Sequence, residues 1–416
     1  MLILTVFTTI ESKAQLTVDA ELRPRFEYRH GYKTLFPNNV DAATFVSQRT
    51  RLNTGFKLKK LGFYLSFQDV RVWGDVPQLN TADKNGLSVH QAWAKVIFTS
   101  DFSTKIGRQE IVYDDHRIMG NVGWAQQARS HDAAKISFHK NNFKADIGYA
   151  FNQNGESLTG HELNINTYKS LLYAWLHKDW TDFEASILLL NNGLQYLNED
   201  DPSKNETRYS QTIGSHLTFK KEKLKVAANL YYQFGKDVTN NDLSAYLLGL
   251  ETNYKASNLI MLGLGGELQS GNENGAPSNG ENKAFTPLYG TNHKFNGFMD
   301  YFYVGNHNNS VGLIDLYAKA NVKMNSKANI NLAVHNFFSD VNISNTVSNQ
   351  LGTEVDLVFS YQYIKEVNFK AGYSQMFASE GLESLKNNFD NNTNNWGWLM
   401  VTINPTLFKT EITKTN

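Results

Sequence analysis

Arginine is scarce in this chain and unevenly placed: ten are present, and nine of them fall between Arg23 and Arg129. Five sit at spacings of two or four, Arg23, Arg25 and Arg29 in "ELRPRFEYR" and Arg49 and Arg51 in "SQRTRLNTGFKL". On an extended strand such spacing sends every one of these side chains to the same face. A guanidinium is a planar fork that grips a carboxylate through two parallel hydrogen bonds, so a wall of them suits carboxylate recognition. The same stretches carry Asp19, Glu21 and Glu27. Two readings therefore stay open from the residues alone. The arginines form ion pairs that keep an inner wall satisfied, or they form a track for carboxylates on a passing polymer. Arg71, Arg108, Arg117 and Arg129 come from neighbouring strands or loops, and parity does not fix their direction.

The elements that position these side chains are strands of one kind. In "KLKVAANLYYQF", Leu224, Val226, Leu230, Tyr232 and Phe234 alternate with Lys223, Lys225, Asn229 and Gln233 over twelve residues. The first face predicts contact with lipid and the second a water-filled lumen. Similar alternation recurs in eighteen segments from Leu16 to Phe408, although 61–75 and 102–112 lose clean parity near one end. Between the segments, very short joints such as Lys140-Asn141 and Lys221-Glu222 alternate with long ones: 31–44, 76–86, 113–129, 153–163, 194–207, 236–241, 272–309, 340–350 and 380–395. A soluble sandwich has no reason to keep one end of every strand pair tight. A closed outer-membrane barrel does, with short turns toward the periplasm and long loops outside. Closure follows because lipid offers no partner to an open sheet edge. The expectation is an all-β chain forming a single 18-stranded antiparallel transmembrane β-barrel from residue 15 to 416. Within it, 272–309 is a long loop folded at the mouth or into the pore.

Composition agrees. Mean hydropathy is -0.44 and no stretch reaches the length of a membrane helix, but a barrel hides its apolar face in every second residue. Forty basic and forty acidic side chains leave no net charge to attract nucleic acid. Cysteine is absent, which excludes disulfides and thiolate chemistry and suits export through an oxidising compartment. "MLILTVFTTIESKA" reads as a leader, residues 1–14, with small residues before Gln15 and no basic start, so it is read as truncated.

Other sequence features that resemble chemistry fall short of it. "GHELN" (160–164) lacks the second His of a zinc site, and Gly263-x-Gly265 has no helix after it. His131-Asp132, His293 and His307 make a triad with a Ser only on paper. The Asn- and Gly-rich runs 271–282 and 387–395 lack the spacing of a calcium loop and read as solvated loops. The reading calls for no catalytic residue, no metal and no cofactor.

The segment "KIGRQEIVYDDHRIMGNVGWAQQARSHDAAKISF" (105–138) resembles the signature of the alginate export family of outer-membrane proteins. "ELRPRFEYR", "RTRLNTGF" and "RVWGD" are similar to that family's opening strands, "FTPLYGTNHKFNGFMDYF" (285–302) to its long late loop, and "LGTEVDLVFSYQY" (351–363) to its penultimate region. The resemblance implies an 18-stranded barrel whose positively charged pore lets an alginate-like polyuronate leave the cell. Carried over by motif, Arg23, Arg25, Arg49, Arg51, Arg71, Arg108, Arg117 and Arg129 are the candidate pore-lining polymer contacts, and Arg29 joins them by its inward phase. Glu110, Asp115 and Asp132 are their acidic counterweights. The implied partners are the anionic polysaccharide, outer-membrane lipid and periplasmic delivery or assembly proteins, around a monomer. Two other functions fit the same barrel: a general or small-solute diffusion porin, and a plugged barrel serving surface display or complex assembly.

Overall fold

A computed structural model describes residues 14–410 apart from 81 and 165–166, so the residues read as a leader lie almost wholly outside the described part. The chain forms one sheet. Its first strands are β1 (Gln15–His30), β2 (Ala43–Lys57), β3 (Leu61–Val72), β4 (Ser88–Ile97), β5 (Phe102–Gln109) and β6 (His131–Lys140). Next come β7 (Phe143–Phe151), β8 (Ser170–Asp179), β9 (Phe183–Tyr196), β10 (Glu206–Lys221), β11 (Leu224–Lys236), β12 (Asp242–Lys255) and β13 (Ile260–Gln269). The last are β14 (Leu313–Lys323), β15 (Ala328–Phe338), β16 (Gln350–Ile364), β17 (Val367–Ala378) and β18 (Asn394–Ile403, resumed as Thr406–Lys409).

Each strand pairs antiparallel with its neighbours in the chain, and β1 closes the ring on β18 through Leu22–Ile403, Phe26–Leu399 and Arg29–Trp396. The result is a closed barrel of eighteen strands, as the alternation predicts. Its outer face carries the expected side chains: Leu230, Tyr232 and Phe234 of β11 and Leu357 and Phe359 of β16 are exposed. The joints also alternate. The longest joints on one rim, 98–101, 256–259 and 324–327, are shorter than the shortest on the other, 237–241.

The interior differs from the expected water-filled lumen. Two long-rim connections pack inside the sheet: an inner loop (110–130) between β5 and β6, and the segment 284–302 of the loop between β13 and β14. Ile111, Ile118 and Met119 of the inner loop bury against Tyr173, Leu188 and Leu247 of β8, β9 and β12. Met299, Tyr301 and Phe302 bury against Phe337, Leu351 and Trp396. Each such side chain, fully buried, contributes about 1.5–3 kcal/mol, enough to hold a loop that has no ladder of its own. Tyr231 and Gln233, expected to meet water, meet these loops instead. Tyr231 joins the first apolar cluster, while Gln233 exchanges hydrogen bonds with the backbone of Thr286 at 2.7 and 3.0 Å. Apolar inward positions mark where the loops rest.

Candidate functional site

The arginine wall is real and it has an occupant. Arg23 stands opposite Arg49, and Arg51 opposite Glu21, all inside the barrel. Like charges facing each other across a strand pair repel, so this arrangement needs acceptors between them. The inner loop supplies them. Arg23 donates to the carbonyls of Gly123 (2.8 Å), Trp124 and Ala125 (both 3.2 Å) and to Gln126 Oε1 (2.9 Å). Arg49 reaches the Gln126 carbonyl at 3.3 Å and pairs with Glu21 at 2.6 Å. Arg25 donates to the Trp124 carbonyl, lies 4.1 Å from the Trp124 ring centroid and pairs with Glu27 at 2.9 Å. Arg29 shares Glu27 and covers the Tyr32 ring. Arg51 binds Gln68, and its buried Nη2 has no partner among the described residues. Five guanidiniums thus share two ion-paired carboxylates, Glu21 and Glu27, with Glu110 near Arg51 and Asp19 further along the inward phase of β1. Carbonyl oxygens satisfy hydrogen bonds without cancelling charge, so the inner loop leaves the guanidinium charges in place.

The inner loop carries backbone strain that matches its captured position. Asp114, His116, Val122 and Ala128 all lie at positive φ, between 51° and 73°. For a β-branched residue such as Val122 this conformation is rare and persists only where surrounding contacts fix it.

Arg117 is the hub between the loops and the wall. It is 1% exposed, donates to Glu267 of β13 and to Asn292 and Asn296 of the long loop, and lies over the Phe295 ring. Backbone bonds finish the contact: Gly120 N–H to the Tyr289 carbonyl (2.8 Å) and Thr291 N–H to the His116 carbonyl (2.9 Å). Arg129 donates to the Gly290 carbonyl at 3.1 Å, and burial pulls its guanidinium below the ordinary value. Asp115 binds Asn229 at 2.6 Å. Glu110 sits in the inner loop between His90 (2.7 Å) and Asn121 (2.9 Å). Burial works against its charge, but those two hydrogen bonds and the nearby charges, Arg51 among them, together outweigh it and hold the carboxyl below its usual range.

Three of the expected pore residues are corrected. Arg71 is in register with Gln48, and Asp69 with Thr50, one residue out of phase with Arg49 and Arg51. Arg71 therefore projects from the outer face near the long-joint rim, paired with Asp69 and Asp83. Arg108 and Asp132 pair with each other at 2.8 Å on the face that Ile106 and Ile136 share, also outside. The signal was in the sequence: Arg108 keeps phase with Phe102 and Ile106, and Arg71 with Phe63 and Phe67.

The paper triad is dispersed. His131 packs on Tyr168, His293 pairs with Asp300, and His307 approaches the Gly312 carbonyl.

Other inward residues were not singled out from sequence. Glu251, Lys319 and Lys294, together with Asp115 and Lys225, line a cavity of about 260 Å³ between the loops and the short-joint mouth. Lys319 pairs with Glu251 at 3.0 Å, while Lys294 donates to the Asp115 carbonyl and is held below its ordinary pKa by burial. Glu354 and Asp356 of β16 accept hydrogen bonds from the backbone of Met299 (2.8 Å) and Phe298 (3.3 Å), which fixes the descending end of the long loop.

A family described as alginate export matches residues 14–394. A comparison with curated proteins finds no match. Among solved structures, OccAB4 of Acinetobacter baumannii is similar with a TM-score of 0.65 and 13% identity, over 95% of this chain and 99% of that one. OpdK of Pseudomonas aeruginosa, solved with vanillate, gives 0.60 and 11% over 94% and 98%. OpdO of the same organism gives 0.61 and 13% over 94% and 98%.

Proposed function

The chain belongs to the alginate export family and is an outer-membrane channel barrel, and on that premise we propose that it passes anionic saccharides of the polyuronate kind. The observation that carries this reading is the uncancelled wall formed by Arg23, Arg25, Arg29, Arg49 and Arg51. A basic surface in a narrow, low-dielectric passage concentrates anions and excludes cations. Glu21, Glu27 and Asp115 interleave with it and keep a carboxylated chain from binding too tightly to leave. The two packed loops narrow the path, which suits one extended chain rather than a coil. In this reading the short joints face the periplasm, the long ones face outside, and flow is outward. Transport is passive.

Planar-bilayer recording tests the proposal. A reversal potential of anionic sign that shrinks when Arg23 and Arg49 become Gln supports it. Cationic selectivity in the parent chain ends it. A second reading, a plugged barrel for display or assembly, draws on one observation: both apolar clusters fill space that a wide pore would leave open. It requires that no ionic current pass while both loops are intact.

A further inference from the structure

The short-joint half of the lumen holds a second basic feature, separate from the arginines. Lys57 of β2 is in register with Gly62 of β3, Gly62 with Lys95 of β4, Lys95 with Lys105 of β5, and Lys105 with Lys135 of β6. Lys57 shares the phase of Arg49 and Arg51, so the whole row points inward. Neighbouring strands stand about 4.8 Å apart, which places three ammonium-bearing side chains side by side on β4, β5 and β6. Directly opposed like charges weaken a strand pair. Only Lys135 is offset by a carboxylate, Asp146 at 2.7 Å; Lys57, Lys95 and Lys105 have no hydrogen-bonded or ion-paired partner among the described residues. Nothing in the fold requires that repulsion.

Beside the row lies an apolar ledge. Tyr64 and Trp93 stack at 5.4 Å, one step toward the loops, and the Lys105 ammonium sits 4.3 Å from the Trp93 ring centroid. Gly55 and Gly62 occupy the inward positions beneath them, where a side chain would fill the space against Tyr64, Trp93 and Lys95. Gln15 and Thr17 join Lys57, Tyr64, Trp93 and Lys95 in lining a cavity of about 380 Å³, with Lys105 and Lys135 on the next strands beside it. Amines for a carboxylate, amide and hydroxyl groups for sugar hydroxyls, and an aromatic surface for the apolar face of a pyranose ring are gathered in one open recess.

We propose that Lys57, Lys95, Lys105 and Lys135, with Tyr64 and Trp93, form a subsite at the short-joint mouth that binds carboxylated sugar rings before they reach the arginine wall. This rests on the acidic-saccharide reading above and names where that substrate first engages. Lysine suits such a first contact, because a hydrated point charge on a flexible stem attracts a carboxylate without the fixed bidentate grip of arginine, so the ligand moves on.

The test uses the intact barrel in a planar bilayer and, as probes, a uronic-acid tetrasaccharide, a neutral glucose tetrasaccharide and inorganic phosphate, each added to one side at a time. The proposal expects residence-time blocks by the uronate from the short-joint side. It expects Lys95→Gln/Lys105→Gln to weaken them roughly tenfold, a loss of about 1.4 kcal/mol. Lys95→Arg/Lys105→Arg restores them, and heat-modified migration confirms that each variant folds. Equal block by the neutral sugar, equal block by phosphate, or an unchanged uronate block in the Gln variant overturns the subsite. Parent selectivity separates the two claims. An anion-selective parent with an unchanged Gln variant fails the subsite alone, whereas a cation-selective parent fails the wider reading.

Discussion

Arg117 and Glu267 meet through two parallel hydrogen bonds, 2.8 Å from Nε to Oε2 and 2.5 Å from Nη2 to Oε1, with both side chains buried. One partner belongs to the inner loop and the other to the barrel wall, and the same guanidinium holds Asn292 and Asn296 of the long loop. This one buried ion pair ties three parts of the chain together and so helps to set the width of the passage. Removing one partner strands a buried charge, which costs about 3–5 kcal/mol. Arg117→Ala is expected to release both loops, raise single-channel conductance and expose 284–302 to protease, while the barrel still assembles. Conductance equal to the parent's contradicts this.

Gly297 lies where the long loop passes tightly against Glu354 of the wall. Its φ is +81°, and a Cβ there would lie 2.6 Å from the Glu354 carboxyl. Gly297→Ala combines a strained backbone, on the order of 1–3 kcal/mol, with a clash against a buried acid. The Met299 N–H to Glu354 bond is expected to break and open-state noise to increase. Hydrogen exchange at Met299 reads this directly: protection as in the parent removes the latch from the account.

Acid should loosen the outer part of the long loop. Burial pushes His307 down to about 4, well below its ordinary value, and its Nε2 lies 2.9 Å from the Gly312 carbonyl. Between about pH 6.5 and 4 the released segment takes up a proton that the packed one refuses, so packing is favoured fully above that window and weakens as pH falls through it. Exchange protection across 301–312 should drop over this range in the parent and stay level in His307→Gln. A profile that His307→Gln leaves unchanged assigns the effect elsewhere.

Period-two alternation and the rhythm of joint lengths made the barrel legible before any coordinates, because lipid outside and paired edges all round leave a sequence little freedom. Leu230, Phe234 and Leu357 announce their face by phase alone. What fills the middle was less legible. Tyr173, Leu188, Leu247 and Trp396 are apolar on the inward phase, and a strand rule that expects water there has no reason to place a loop against them. The arginines of β1 and β2 were visible as a wall, but their acceptors are the carbonyls of Gly123, Trp124, Ala125 and Gln126, which side-chain spacing does not encode. Arg71 and Arg108 lay in segments whose phase blurred near one end, and for them and Asp132 membership of a motif stood in for direction. The lysine row needs strand register, since its members are far apart in sequence.

Substitution on the outer face gives a separate check of phase. Leu230 is 44% exposed and Asn229 beside it is buried. Leu230→Arg places a charge against acyl chains and should cost about 2–4 kcal/mol if the site lies near the bilayer midplane. Folding titrations into lipid vesicles measure it. A loss below the resolution of the titration would place Leu230 away from the hydrocarbon.

The central claim, a lumen whose uncancelled basic wall selects anions, is tested most directly by the zero-current potential of the parent barrel across a potassium chloride gradient. The account predicts a potential of the sign set by chloride, reduced when Arg23 and Arg49 become Gln. A potential of the sign set by potassium contradicts it.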